Sequence, residues 1–160
     1  MIQQPSNSRK AIRILILEDD AERRQVMSDC LADRFAQYGV AFFETAPAMI
    51  KYVNECDPDT LLLISLDHDL ECVDGGDPGT GRDVADCLAA RSPTCPVIIH
   101  STNAPAAVGM QTVLDDSGWE TVRVAPYDSV RWIGETWFQS ARNAIVDDVG
   151  RRSKVSLGQS

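Results

Sequence analysis

Three short polar stretches hold the residues most able to do chemistry. They are Glu18-Asp19-Asp20, Asp67-His68-Asp69 and His100-Ser101-Thr102-Asn103, and each directly follows an apolar run. The 160-residue chain has only two histidines, and both fall in these stretches. Several carboxylates at one edge repel one another unless a cation sits among them. Hard oxygen ligands of this kind suit Mg²⁺, which takes one or two carboxylates, keeps waters and accepts phosphate oxygens. A histidine titrates near neutrality, so beside a phosphate it could move protons. Plainer readings exist for the same residues: acids in a helix's first turn complement its dipole, and "DHD" could be a solvated strand exit. A zinc site from His68, His100 and an aspartate is conceivable, although no HxH or HExxH spacing supports it.

These stretches need strands to place them. Five runs are rich in Val, Ile, Leu and Phe: "IRILILE" (12–18), "VAFFET" (40–45), "LLLISLD" (61–67), "PVIIHS" (96–101) and "TVRVAP" (121–126). The first, third and fourth are almost continuously apolar, as parallel strands covered on both faces require. Helical patterns lie between them. Val26, Met27, Cys30, Leu31, Phe35 and Tyr38 recur at intervals of three and four, and Gly39 is expected to stop that helix. "PAMIKYVNEC" faces Met49, Ile50 and Val53 inward, and "GRDVADCLAARS" does so through Val84, Cys87 and Leu88. "APAAVGMQTVLDDSG" is patterned more weakly, with Asn103 as its expected cap. The last helix is expected to start at Asp128 and run through Val130, Ile133, Trp137, Ala141, Ala144 and Ile145, with Trp132 and Phe138 off its buried stripe. Alternating strands and helices imply a doubly wound parallel sheet with helices on both faces. In such sheets ligands bind beyond the carboxyl ends of the strands, where the three polar stretches lie.

Composition narrows the function. The net charge is −9, which repels phosphate backbones and argues against nucleic acid as a partner; "GRRSK" (150–154) is the only basic patch. No segment reaches the roughly 20 apolar residues of a membrane helix. Five cysteines without paired spacing read as reduced thiols, and with no signal-peptide pattern at the start the expected location is cytoplasmic. One domain is expected over 12–150, with a polar lead-in at 1–11 and a flexible tail at 151–160. The glycine-dense "DGGDPGTGRD" (74–83) matches neither a P-loop nor a dinucleotide fingerprint. It reads as a loop, able at most to act as a lid or to cradle a phosphate, with Arg82 the nearest cation for a phosphoryl group.

The strand tips together resemble the response-regulator receiver (CheY-like) superfamily. "ILILEDD" resembles its first strand with the acidic metal-binding pair, "LLLISLD" its third strand with the phosphorylatable aspartate at Asp67, and "PVIIHS" its fourth with a terminal hydroxyl at Ser101. The resemblance spans about 12–148 and implies a flavodoxin-like sheet of order 2-1-3-4-5. It also implies a Mg²⁺ site from Asp19, Asp20 and Asp67, with Glu18 and Asp69 accessory. The family's lysine before a proline at the end of the fifth strand is replaced by Ala125-Pro126. "DHDL", "GTGRDVADCL" and "HSTN" look like an atypical branch, the cyclic-phosphate-processing receiver domains. The expectation is a Mg²⁺-dependent phosphate-handling pocket centred on Asp67, served by a phosphodonor or kinase. Alternatives are a metal-dependent hydrolase acting on a small cyclic phosphate ester, with His68 and His100 as acid and base, or a degenerate receiver serving as a scaffold. His100 and Ser101 are expected at the phosphoryl group.

Overall fold

The structure, a computed structural model, describes residues 10–71 and 74–158. Most of the expected lead-in (1–9), Cys72 and the last two residues lie outside that range. Five parallel strands, β1 (Ile12–Leu17), β2 (Gly39–Phe43), β3 (Leu63–Leu66), β4 (Val97–His100) and β5 (Thr121–Val124), form one sheet in the order β2-β1-β3-β4-β5. The crossovers are α1 (Ala21–Arg34), α2 (Ala46–Glu55), α3 (Gly81–Ala89) and α4 (Ala104–Asp116), and α5 (Phe138–Leu157) closes the chain.

Alternation along the central strands splits the core into two layers. Leu15, Leu17, Ile64, Leu66, Val97 and Ile99 pack under α2, α3 and α4, through Met49, Val53, Val84, Leu88, Met110 and Leu114. Ile14, Ile16, Leu63 and Ile98 face α1 and α5, through Met27, Leu31, Ala141 and Ile145. Both faces of β3 and β4 are therefore covered, which is why their sequences show no polar alternation.

Three local features depart from the periodic reading. Helix α1 ends at Arg34 with Phe35 as its cap, and Gly39 instead opens β2. A Cβ at Gly39 would lie 2.8 Å from the carbonyl oxygens of Ala11 and Lys10, so close strand approach is what requires glycine there. Asp128 is not an extended N-cap, because it and Ser129 hold left-handed φ values of 51° and 57°. The helix that follows opens at Arg131 and passes at once into five residues of π-winding, Ile133–Trp137. An i→i+5 turn stacks residues five apart, so Trp132 joins Trp137 on the core face and both are fully buried. At the other end α5 runs to Leu157, past the expected boundary at 150. Arg152 anchors it by donating to the Asp59, Leu61 and Thr94 carbonyls, while Arg151 pairs with Glu120.

Candidate functional site

The sheet reverses its order at β1, whose neighbours β2 and β3 are reached by crossovers in opposite directions, and a crevice opens beyond the strand tips. Backbone pairing carries the ladder past the strands: the Glu18 N–H donates to Phe43 O at 2.9 Å, and the Asp67 N–H to Leu17 O at 3.1 Å. Asp20 caps α1, its Oδ1 accepting the Arg23 N–H at 2.8 Å. Arg24 Nη1 ties down the turn by donating to the carbonyls of Glu18 and Asp19 at 3.0 and 2.7 Å. Behind the tip of β3 Gly81 presses close, where a Cβ would sit 2.0 Å from Asp67 O; only glycine allows α3 to start there.

The crevice has a volume of about 490 Å³ and is lined by Asp19, Asp20, Ala21, Arg23, Asp67, Asp69, Leu70, Glu71 and Thr102. Five of these residues are acids and one, Arg23, is a cation. Burial pushes the Asp67 carboxyl up to about 6; His100 opposes the rise, and the charges of Glu18 and Asp19 add to it. Burial also raises Asp19, with Glu18 adding to the effect and the Glu71 N–H bond opposing it. Crowded carboxylates that hold protons above their usual range are what a divalent cation would relieve, so the donor set fits Mg²⁺.

Beneath the crevice runs a fully buried hydrogen-bonded chain. Trp137 Nε1 donates to Ser65 Oγ at 3.0 Å, Ser65 Oγ meets His100 Nδ1 at 2.8 Å, and His100 Nε2 meets Glu18 Oε2 at 3.1 Å. With the indole donating to Ser65, the serine hydroxyl can donate to Nδ1, and Nε2–H then donates to the glutamate. The Trp132 ring stacks on His100 with centroids 5.8 Å apart. Burial would raise Glu18, but the His100 bond and charge, the Asp20 N–H and the Arg23 charge together hold its carboxyl below the usual range. Ligand atoms of Glu18, Asp67 and His100 lie within 4.8 Å of one another.

The structure thus brings Asp19, Asp20, Asp67 and Asp69 to one crevice, with Glu18 directly below. His100 does not face it as an acid–base group would, since both ring nitrogens are engaged inside the protein. His68 lies beside the crevice, its Nδ1 2.8 Å from Asp69 Oδ1, and Asn103 Nδ2 reaches the other oxygen of Asp69 at 3.4 Å. Ser101 is buried and its Oγ accepts the Asn103 N–H, leaving Thr102 as the hydroxyl on the lining. Arg82 pairs with Asp86 on its own helix and does not line the crevice. None of residues 74–83 lines it either; the loop is docked by Pro78 O to the Ala46 N–H and by the Gly81 N–H to His68 O. Sequence reasoning missed Ser65 and Arg23, and with them Glu71 and the lining position of Thr102. Ser65 was hidden in an apolar strand; Arg23 follows the acidic triplet within one helical turn, a spacing that could have revealed it.

An open parallel sheet of order 2-1-3-4-5 with an acidic crevice at the reversal point defines a receiver-type domain. The profile of the cyclic-phosphate processing receiver domain matches residues 13–116, and the chain belongs to that family. The matched segment stops before β5, so Ala125, Trp132 and Trp137 lie outside it. Among solved structures, the chain is similar to a response regulator receiver domain from Rhodospirillum rubrum (17% identity, 86% of this chain and 94% of that one, TM-score 0.58). It is similar to the response regulator domain of CheB from Thermotoga maritima (18%, 84% and 96%, TM-score 0.60). A response regulator from Burkholderia pseudomallei, solved with a phosphorylated aspartic acid, a calcium ion and citrate, is also similar (15%, 93% and 75%, TM-score 0.57). These likenesses carry the fold. No curated protein sequence matches the chain. No described helix is long and apolar enough to cross a membrane.

Proposed function

We propose that the crevice is a Mg²⁺-dependent phosphate-handling pocket centred on Asp67. One observation carries this reading: a largely buried carboxyl, pushed up to about 6, sits in a crevice lined by five acids and one cation. Asp19 and Asp67 would hold the ion, with Glu18 and Asp69 accessory and Asp20 occupied mainly in capping α1. When bound, Mg²⁺ would neutralise the carboxylates and orient phosphate oxygens. Asp67 is then the phosphoacceptor or the carboxylate against which a phosphate is held, and Thr102 offers a hydroxyl to it. His100 keeps Glu18 ionised and fixed, so it acts as a positioning residue. The partner in this reading is a phosphodonor or a kinase.

A second reading, metal-dependent opening of a cyclic phosphate ester, is favoured by the family to which residues 13–116 belong and by Ala125 where receivers carry a lysine. His68, beside the crevice and oriented by Asp69, is the available acid–base group.

Intact mass after incubation with Mg²⁺ and acetyl phosphate tests the first reading, with Asp67→Asn in parallel. A single phosphoryl adduct on the parent, absent from the variant, supports phosphoacceptance. No adduct, combined with Mg²⁺-dependent ring opening of small cyclic phosphodiesters followed by ³¹P NMR, supports the second. If neither occurs and Mg²⁺ leaves resonances of Asp19 and Asp67 unperturbed, the pocket handles no phosphate and the scaffold reading remains.

A further inference from the structure

We propose that Arg23 is the phosphate-binding cation of this pocket, a role that rests on the phosphate reading above. Once a divalent ion is held among Asp19 and Asp67, a phosphate dianion or diester still needs a donor on its outer side. Among the described residues lining the crevice, only Arg23 carries positive charge. Its side chain is about a quarter exposed, so it reaches the solvent side of the site while its stem stays packed.

Three contacts aim the guanidinium. The Arg23 N–H donates to Asp20 Oδ1, which places the residue in the first turn of α1. The guanidinium carbon lies 5.6 Å from the centroid of the Trp132 ring, within cation–π range. That ring is itself held by stacking on His100 and by its Nε1 donating to Ser129 O at 2.9 Å. On the third side Arg23 Nη1 is 3.9 Å from Glu18 Oε2, a distance that leaves most of the guanidinium's donors uncommitted.

Helix electrostatics argue in the same direction. The first turn of a helix favours acids and disfavours cations, so α1 gains nothing from an arginine at this position. Arg24, one residue on, has a structural role, since it holds the turn carbonyls and pairs with Glu44. Among the described residues the Arg23 side chain makes no comparable bond, only the long approach to Glu18 and the ring contact. Its fork geometry suits two oxygens of one phosphate. The end of β5 supplies no competing charge, because the positions there are Ala125 and Pro126.

The test measures two affinities by titration calorimetry on the full chain: Mg²⁺ alone, then inorganic phosphate at saturating Mg²⁺. Arg23→Gln is expected to weaken phosphate binding by about tenfold or more, the usual loss for one charge-assisted pair. Its Mg²⁺ affinity should stay within about twofold of the parent, or rise slightly, because a nearby cation is gone. Arg23→Lys should recover part of the phosphate affinity, since it keeps charge and loses the fork. Arg82→Gln, whose guanidinium pairs with Asp86 and does not line the crevice, should leave phosphate affinity near the parent's. Unchanged phosphate binding in Arg23→Gln overturns the assignment while the pocket reading stands. Equal loss of Mg²⁺ and phosphate binding in Arg23→Gln overturns it too, because Arg23 would then only support Glu18. A parent that binds Mg²⁺ but no phosphate removes the phosphate reading, and Arg23's role with it.

Discussion

The two ends of the sheet each bury a carboxylate, and they treat it in opposite ways. At the amino end Asp148 is buried against Arg152, whose Nε donates to its Oδ2 at 2.9 Å. The remaining guanidinium donors go to the carbonyls of Asp59, Leu61 and Thr94. Charge and donors are matched there, and the cavity beside them, about 230 Å³, is lined by both Glu120 and Arg151, which pair with each other. At the carboxyl end Asp67 pairs with no such cation among the described residues, and the charges of Glu18 and Asp19 press on it instead. A matched buried ion pair fastens an element, here the end of α5. An unmatched cluster of acids destabilises the apo fold and leaves binding energy for a cation. The comparison predicts that repairs at one end and breaks at the other have opposite signs.

The largest effect expected belongs to the link between core and crevice. His100→Ala removes the partner of a fully buried glutamate and also leaves Ser65 without an acceptor. Breaking a buried pair from one side costs about 3–5 kcal/mol; a loss near 4 kcal/mol is expected, read as the denaturation midpoint at constant m-value. Loss of any phosphate chemistry in this variant would therefore report the displaced Glu18 as much as any proton transfer. Ser65→Ala, which spares the His100–Glu18 hydrogen bond, separates the two: it should cost about 1 kcal/mol and leave Mg²⁺ affinity within about twofold.

How far the sequence foretold this follows from what each residue's neighbours are. The apolar runs and the alternation of strand and helix were enough for the sheet, because near-continuous apolar segments of strand length, spaced by helical patterns, fit a sheet covered on both faces and little else. Asp19, Asp20, Asp67 and Asp69 were legible because they stand at strand tips, and tips converge in this fold. Orientation was not legible. His100 and Ser101 are adjacent, and which of them turns toward the crevice depends on the twist and on what fills the layer below. Here that layer contains Trp137, which the helical period puts on the buried stripe, and Trp132, whose burial beside it goes with π-winding that a 3.6-residue period cannot show. Ser65 was unreadable for a related reason, since a lone serine in "LLLISL" carries no pattern of its own. Arg82 drew attention through sequence nearness to a glycine-rich loop, whereas Arg23, one helical turn beyond the acids, is the residue that lines the crevice.

At the amino end, Arg152→Ala should be next in size. It strands a buried aspartate and three carbonyls, but the guanidinium is about one-third exposed, so water relieves part of the loss. About 3 kcal/mol is expected by chemical denaturation, with fraying of α5 beyond 150 seen as faster amide exchange there. The Mg²⁺ titration should be unchanged, since the two charge systems lie at opposite ends of the strands. A shifted Mg²⁺ affinity would break the comparison, because the ends would then be coupled through β3 and β4.

The remaining effect has the opposite sign, and Asp67→Asn is its test. An acid whose folded pKa is raised above its unfolded value stabilises the protein below the unfolded value and loses that contribution as pH climbs. For Asp67 the window runs from about 4 to about 6, and two pKa units correspond to about 3 kcal/mol. Asparagine is never ionised, so it escapes the loss, although its amide must find partners where the carboxyl accepts from the His68 N–H. The variant should therefore be more stable than the parent by about 2 kcal/mol at pH 7.5 without metal. The two should converge near pH 4, where the parent is protonated. Saturating Mg²⁺ should reverse the order: a ligand that binds only the folded state raises stability as RT ln(1 + [L]/Kd), and only the parent keeps the carboxylate that makes its Kd small. Thermal melts at several pH values, with and without Mg²⁺, read both effects from the same samples. If Asp67→Asn is less stable than the parent at pH 7.5 without metal, the Asp67 charge is already matched within the protein, and the contrast between the two ends of the sheet disappears.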